Sequence, residues 1–269
     1  VFYSCVVCIG LPINCLAAYR LYHLVKASNV LPIYVINLLI SDMLQLAMLP
    51  LILLSFYTDL LDTVYYLIHH WISINIFSMC VSISFFVCIS LERYLAIVHP
   101  LWHQTQRSPR LAIKVSVGVW LFAVNPILYV LLRNDSPKTE LHNVNIVMIK
   151  YDSIIWIPLF FVFFFLVPLI LLVFFYVRSK AAITSSIGAP DVKKKRALRV
   201  LSAVLTLFIL IYGPFFTLFV ISYILESINI STTLGSKEVT MTSSVIRSLN
   251  VIVDPILYVF LRNDVRQML

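Results

Sequence analysis

The chain has 269 residues, of which 61% are hydrophobic and only 12% are charged, with a formal net charge of +8 at pH 7. A soluble globular domain is about half apolar and about a quarter charged, so this composition excludes an ordinary soluble fold. The mean hydropathy of +0.97 indicates a membrane protein.

Long apolar runs divide the chain into predicted membrane spans. A bilayer core of about 30 Å needs about 20 mostly apolar residues per helix, and only helices or closed barrels satisfy the backbone in lipid. The run IIWIPLFFVFFFLVPLILLVFFYV is apolar on every face, unlike the alternating strands of a barrel. We therefore predict an all-α membrane protein whose residues 1–269 form a single domain of seven spans. They lie near Val1–Leu21, Leu31–Phe56, Val64–Val98, Leu111–Leu132, Ser153–Val177, Ala197–Leu225 and Val239–Leu261.

The distribution of Lys and Arg predicts the orientation, because cytoplasmic loops are enriched in these residues. The stretches after spans one, three, five and seven hold 15 of the 20 basic residues, and the remaining loops hold four. We therefore expect the N-terminus outside and the C-terminus in the cytoplasm. The run KKKRALR at Lys193–Arg199 is interpreted as a cytoplasmic helix flank, and no nucleic-acid partner is expected. The chain starts without Met and stops eight residues after the last span, so we expect both tails to be truncated.

Two N-x-S/T sequons agree with this orientation. They begin at Asn134 and Asn229, and both fall in loops that are predicted to lie outside. Such sequons are acceptors of N-linked glycan on exposed loops. Asn134 and Asn229 are therefore predicted glycosylation sites.

Polar and proline-containing motifs recur inside the spans. Span one contains GLPINCLA and span two contains INLLISD, while span three ends in the triplet ERY followed by LAIVHPL. Span seven ends in DPILY. Single residues complete the pattern in the other spans, namely Trp120, Pro168, Tyr176, Phe208 and Pro214.

In their order and spacing these motifs resemble the rhodopsin-like family of G-protein-coupled receptors over essentially the whole chain, and most of all the branch of nucleotide, proton-sensing and lysolipid receptors. The resemblance implies a seven-transmembrane helix bundle with the start of a short cytoplasmic amphipathic helix at the C-terminus. It also implies a multi-pass receptor of the plasma membrane that is not an enzyme. Its partners would be the lipid bilayer, an extracellular small molecule or proton, and a heterotrimeric G protein.

The family implies a latch at the inner end of span three. Arg93 would be held by Glu92 at rest and released to meet the G protein. Pro214 would bend span six, because proline removes a backbone hydrogen bond from a helix, and Tyr212 stands where the family usually has Trp. The implied coupling and activation residues are Glu92, Arg93, Tyr94, Tyr176, Tyr258, Ile83, Pro168, Phe208, Tyr212 and Pro214.

Four polar residues match the position at which many family members bind sodium: Asp42, Ser82, Asn250 and Asp254. Asp254 replaces the Asn that is usual in the family. Two carboxylates in a low-dielectric site repel each other unless a cation or a proton intervenes. Either a bound sodium ion or a shared proton could compensate the two carboxyl groups, and no other cofactor is expected.

The ligand class is narrowed by exclusion within the family. Asn75 stands where amine receptors have Asp, and Ser248 stands where opsins carry the Lys that holds retinal. Neither a biogenic amine nor retinal is therefore expected as the ligand. The resemblance to the branch of nucleotide, proton-sensing and lysolipid receptors implies an anionic lipid, a nucleotide or a proton as the ligand. The predicted pocket lining is Asn75, Ile76, Met79, Phe215, Phe216, Phe219, Ser244 and Arg247.

Several alternatives stay open at this point. The aromatic residues of the pocket could instead be bundle core, and Arg247 could be a counter-ion of Asp42 or Asp254. A transporter or channel with an ion site around these three charged residues is the rival function. The sequence contains no HExxH motif or Gly-rich phosphate loop, and such motifs carry many enzyme activities.

Overall fold

The computed structural model describes residues 2–25, 30–55, 61–106, 108–132, 153–185, 192–227, 242, 245–246 and 248–255. Regular structure within these ranges is entirely helical, which confirms the all-α prediction. The helices are α1 (Phe2–Val25), α2 (Val30–Ser55), α3 (Leu61–Val98), α4 (Pro100–Gln106), α5 (Pro109–Leu132), α6 (Ser153–Phe161), α7 (Val167–Thr184) and α8 (Val192–Ser227), with a π-helical turn at Val162–Leu166 between α6 and α7.

The long helices coincide with the predicted spans. Helices α1, α2, α3 and α5 correspond to spans one to four, α6 to α7 form span five, and α8 forms span six. Residues 248–255 of predicted span seven are helical apart from a turn at 249. The predicted C-terminal amphipathic helix lies outside the described residues. Among the described residues, three helical stretches are long and apolar enough to cross a bilayer: Ser73–Val98, Ile157–Thr184 and Lys194–Ile221. Ser4–Tyr19 and Ile33–Met48 are shorter apolar helices.

Helix α3 is the central element of the bundle. It packs against α2, α5, α7 and α8. Its side chains are apolar nearly all round, which is typical of a helix that is enclosed by others. Met79, Ile83, Phe86 and Ile89 are almost fully buried along it. The hydrophobic core is therefore built around span three, and polar groups on that helix are held away from lipid.

Polar residues of spans two and four meet through hydrogen bonds. The indole N–H of Trp120 donates to Oδ1 of Asn37 at 2.7 Å. Nδ2 of Asn37 donates to Oγ of Ser116 at 3.3 Å and to the carbonyl of Ile33 at 2.7 Å. These bonds satisfy a polar side chain that faces neighbouring helices, and they join α2 to α5.

Span one approaches spans two and seven closely at Gly10. A Cβ atom at this glycine would lie 3.2 Å from Cδ2 of Leu46 and 3.3 Å from Cγ1 of Val251. Small residues at helix contacts allow such close packing in membranes. One turn further along α1, Nδ2 of Asn14 donates to the carbonyls of Gly10 at 2.9 Å and Val251 at 2.8 Å. The close approach therefore places a polar side chain of span one against the backbone of span seven.

Span five contains a π-helical turn that the sequence did not reveal. The amide of Val167 donates to the carbonyl of Val162, five residues earlier. Pro168 follows directly and lacks an N–H donor. Single π-turns inside helices are rare and are frequent at functional sites. The turn changes the rotational phase of the helix, and therefore affects which of the Phe side chains of this span face the core.

Candidate functional site

Spans two, three and seven bring four predicted polar residues together in the bundle interior. Asp42, Ser82, Asn250 and Asp254 are all fully or almost fully buried. The carboxyl group of Asp254 lies beside the side chains of the other three. These residues are separated by up to about two hundred positions in the sequence, so only the packing of the helices assembles them. We call this group the polar centre.

A chain of hydrogen bonds connects the polar centre to span six. The hydroxyl of Tyr212 donates to Oδ1 of Asn250 at 2.8 Å, and Nδ2 of Asn250 donates to Oγ of Ser82 at 3.1 Å. Tyr212 is fully buried. The Asn250 amide therefore joins spans three, six and seven. The sequence singled out Tyr212 as an altered aromatic position but did not predict this bond.

Asp254 carries the least satisfied polar group of the centre. Within the part of the chain that the structure describes, neither carboxyl oxygen accepts a hydrogen bond of normal geometry. A buried carboxylate without compensation is strongly unfavourable. Carboxylate, hydroxyl and amide oxygens are also the ligands that hard cations prefer in proteins. The residues present therefore suit either a small cation or a proton on the carboxyl groups.

Further polar pairs surround the centre, and sequence interpretation missed them. Oγ of Ser41 donates to the carbonyl of Ser78, and Oγ of Ser78 donates to the carbonyl of Ser41, both at 3.1 Å. Nε2 of Gln45 donates to Oδ1 of Asn75 at 2.8 Å. All four side chains are buried. A polar seam between spans two and three thus continues from Asp42 toward Asn75.

The predicted ligand pocket is only partly described. Asn75 is fully buried with Gln45 as its partner. Ile76, Met79, Phe215 and Phe216 lie in the central hydrophobic cluster, and Phe219 is half-buried against it. This position fits both the core interpretation and the floor of a pocket. Ser244 and Arg247 lie outside the described residues.

The mid-bundle residues of the predicted packing switch are brought together. Ile83 and Phe208 are buried in the central cluster, and Pro168 is buried at the start of α7. The ring of Phe208 stacks on Phe165 at 5.8 Å and contacts Tyr212 at 5.3 Å between centroids. Phe165 was missed, because the run FFVFFFL offers no signal for which ring points inward. Phe165 lies within the π-helical turn, which changes the phase of the helix at this point.

The predicted latch lies at the end of α3. Glu92, Arg93 and Tyr94 are partly buried there. The ring of Tyr94 stacks on Phe175 of span five, with centroids 5.2 Å apart. Tyr176 packs against the same small cluster. Tyr258 lies outside the described residues, as do the sequons at Asn134 and Asn229.

Helix α4 follows directly and presents apolar side chains to solvent. Pro100 is its first residue, a favoured place for proline. Leu101 is 79% exposed and Trp102 is 52% exposed. Leu101 belongs to the motif LAIVHPL but was assigned no role from the sequence, and Trp102 was not singled out. Together they form an exposed apolar surface on the helix that follows the end of α3.

Comparisons with known proteins agree with one another on a single receptor family. The family model described as "7 transmembrane receptor (rhodopsin family)" matches residues 13–258. The chain is 27% identical to lysophosphatidic acid receptor 5 of Mus musculus, over 100% of this chain and 77% of the relative. It is 26% identical to G-protein coupled receptor 68 of Homo sapiens, over 97% of this chain and 72% of the relative. It is 28% identical to proteinase-activated receptor 2 of Rattus norvegicus, over 99% of this chain and 69% of the relative.

Proposed function

Because the chain belongs to the rhodopsin family of seven-transmembrane receptors, we propose that it passes an extracellular signal, given by an anionic lipid, to a heterotrimeric G protein. Family membership confirms the receptor class and the multi-pass membrane location, typically in the plasma membrane, that the motifs predicted. This family consists of receptors and not of enzymes. A receptor family also gives no support to the rival transporter or channel.

The orientation of the receptor is part of the proposal. With the N-terminus outside, the stretches that hold 15 of the 20 Lys and Arg residues lie in the cytoplasm, as the distribution of basic residues in membrane proteins requires. The sequons at Asn134 and Asn229 then lie outside. Arg93, α4 and the first turns of α8 lie on the cytoplasmic side.

The cytoplasmic end of α3 is the proposed G-protein contact. Arg93 provides a fixed cation there, and the exposed side chains of Leu101 and Trp102 provide apolar area on α4, the helix that follows. Exposed apolar patches rimmed by polar residues mark interaction sites. Glu92 holds Arg93 at rest, and the stacked pair of Tyr94 and Phe175 supports the position of span three against span five.

The signal reaches this end through the polar centre and span six. The observation that carries this step is the bond from Tyr212 to Asn250, next to the buried carboxyl of Asp254. A sodium ion, held by oxygen atoms of Asp42, Ser82 and Asp254, would supply positive charge to the centre. A proton shared by the two carboxyl groups would have the same effect on their repulsion. Either one stabilises a packing that a ligand can bias.

The ligand proposal is supported by one relative and one sequence feature. Lysophosphatidic acid receptor 5 matches this chain from end to end, and its name gives an anionic lipid as its ligand. Arg247 is placed by the sequence within span seven, where a cation needs a compensating anion. A guanidinium binds a phosphate with two parallel hydrogen bonds, and Met79, Phe215 and Phe219 offer apolar surface for an acyl chain.

A second-messenger assay in cells tests this function. Lysophosphatidic acid, nucleotides and acidified medium are each applied to cells that express the chain and to cells that express Arg93→Ala at the same surface level. We expect a response to lysophosphatidic acid that the Arg93→Ala variant lacks. A response to nucleotide or acid alone would contradict the ligand, and undiminished G-protein activation by Arg93→Ala would contradict the coupling site.

A double substitution then separates the two roles of Arg247. If Arg247 binds the lipid, Arg247→Ala lowers the affinity for the lipid and the further change Asp42→Asn does not restore it. Recovery of expression and response in the double variant would show that Arg247 is a structural counter-ion.

A further inference from the structure

The beginning of span six carries an unusual concentration of positive charge. The sequence from 178 to 206 contains seven basic residues and one acidic residue, Asp191, which lies outside the described residues. Within α8 the first turn has no acidic residue. Cations in the first turns of a helix are opposed by the helix dipole. The helix itself therefore does not stabilise these charges, and an anion from outside would.

Two of the cations lie on the face of α8 that points away from the bundle. Lys195 and Arg199 are exposed, whereas the side chains on the opposite face, Ala197, Val200 and Leu201, are buried. Lys194 and Arg196 are only partly exposed. Residues four apart lie one above the other on a helix, so Lys195 and Arg199 form one stripe.

The same face continues as a lipid-facing surface. Thr206 and Leu210 are exposed on it, and Leu210 is 64% exposed although it is apolar. From Arg199 to Leu210 the helix rises about 16 Å, about half of a bilayer core of roughly 30 Å. With Leu210 near the middle of the membrane, Lys195 and Arg199 lie at the level of the lipid headgroups. Helix α7 packs beside α8, and the exposed Arg178 and Lys180 at its end add positive charge nearby.

We propose that Lys195 and Arg199 bind the headgroup of a multivalent anionic lipid, of the phosphorylated inositol class, in the cytoplasmic leaflet. Two cations about 5–6 Å apart at Cβ suit a headgroup with more than one phosphate, whereas a lipid with a single net charge satisfies only one of them. Clusters of basic residues directly cytoplasmic of a span attract such lipids. The assignment to the cytoplasmic leaflet rests on the proposed orientation, but the binding site itself does not.

The test compares two double variants that lose the same charge. The full chain is placed in nanodiscs of phosphatidylcholine, which expose both faces, and short-chain phosphatidylinositol bisphosphate is titrated while bound lipid is counted by native mass spectrometry. In K195Q/R199Q the stripe is neutral, and in the matched control K194Q/R196Q the other two cations are neutral. A basic residue near the membrane contributes about a factor of five in binding, so we expect about 25-fold weaker lipid binding for the stripe variant. The control should bind as the unmodified chain does.

Each other outcome overturns the proposal. Equal weakening in both variants would show a diffuse basic surface, and no weakening in either would leave the cations with a role in orientation only. Equal binding of phosphatidylserine would refute the multivalent headgroup, and equal binding of soluble inositol phosphate would refute a lipid source. An epitope-accessibility assay in cells tests the orientation separately. A wrong orientation is therefore distinguishable from a wrong lipid site.

Discussion

At the scale of single residues, the buried carboxyl group of Asp254 is the most informative atom group in the receptor. Its oxygens have no hydrogen-bond donor of normal geometry among the residues described. If a sodium ion compensates this charge, replacing potassium chloride by sodium chloride should raise the thermal unfolding temperature of the purified chain, because a ligand of the folded state stabilises it. Asp254→Asn should abolish that rise, since the amide carries no charge.

A scan of unfolding temperature at constant ionic strength checks this prediction. Equal stabilisation of Asp254→Asn by sodium would remove Asp254 from the site. Absence of any sodium effect in the unmodified chain would favour the shared proton, because a protonated pair needs no metal ion.

Tyr212 offers a second test at this scale. Tyr212→Phe keeps the ring that contacts Phe86 and Phe208 but removes the donor to Asn250. A buried acceptor left without its partner costs about 1–3 kcal/mol, so we expect a lower unfolding temperature and a changed basal rate of nucleotide exchange on a G protein. Tyr223→Phe is the control, because Tyr223 is a partly exposed phenol of the same helix. Equal effects of the two substitutions would show that the bond has no special role.

At the scale of elements, the proposed hinge in span six can be tested without disturbing the packing. A Cβ atom at Gly213, directly before Pro214, would meet no atom within 4 Å among the described residues, and the same holds at Gly118 in α5. Alanine stabilises the interior of a helix by about 1 kcal/mol relative to glycine, so it opposes local opening of the helix. We therefore expect Gly213→Ala to lower agonist-stimulated nucleotide exchange, and Gly118→Ala to leave it unchanged. Loss of activity in both, or in neither, would argue against a hinge at this position.

Hydropathy located the helices better than it located their ends. Helix α2 begins and ends within one residue of its predicted span. Helix α8 instead begins at Val192, ahead of the predicted Ala197, because charged residues can continue a helix into water without contributing to an apolar run. Helix α4 is too short to appear as a span, and the π-helical turn has the same composition as the α-helix on either side. Neither could be predicted from periodicity.

At the scale of the whole molecule, the orientation predicts a covalent modification. In full-length protein made in a eukaryotic cell, Asn229 should carry glycan because the proposed orientation puts its loop outside. Glycosidase treatment should shift the electrophoretic mobility of the unmodified receptor more than that of Asn229→Gln. Asn134→Gln reports on the other outer loop. Identical shifts for all three proteins would count against both sites, and an epitope in the Asn229 loop that is reached only after permeabilisation would reverse the orientation.

The candidate site was predictable in its members but not in its connections. The resemblance to the receptor family identified Asp42, Asn250 and Asp254, because the family has polar residues at the matching positions of these spans. It did not identify the bond from Gln45 to Asn75 or the reciprocal pair of Ser41 and Ser78. Such contacts depend on the rotation of two helices about their own axes, and the hydrophobic pattern of a span that is apolar on every face leaves that rotation undetermined.

The π-helical turn at Val162–Leu166 also changes how span five is to be matched with other receptors. Such a turn holds one residue more than an α-helical turn, and one residue corresponds to a rotation of about 100° around the axis. Side chains before the turn, such as Phe160 and Phe161, are therefore out of phase with those after Pro168. An alignment with a relative whose span is a regular α-helix is in register on one side of the turn only, unless a gap of one residue is placed within it. Equivalent positions facing the ligand and equivalent positions facing the G protein must then be counted from opposite ends of this span.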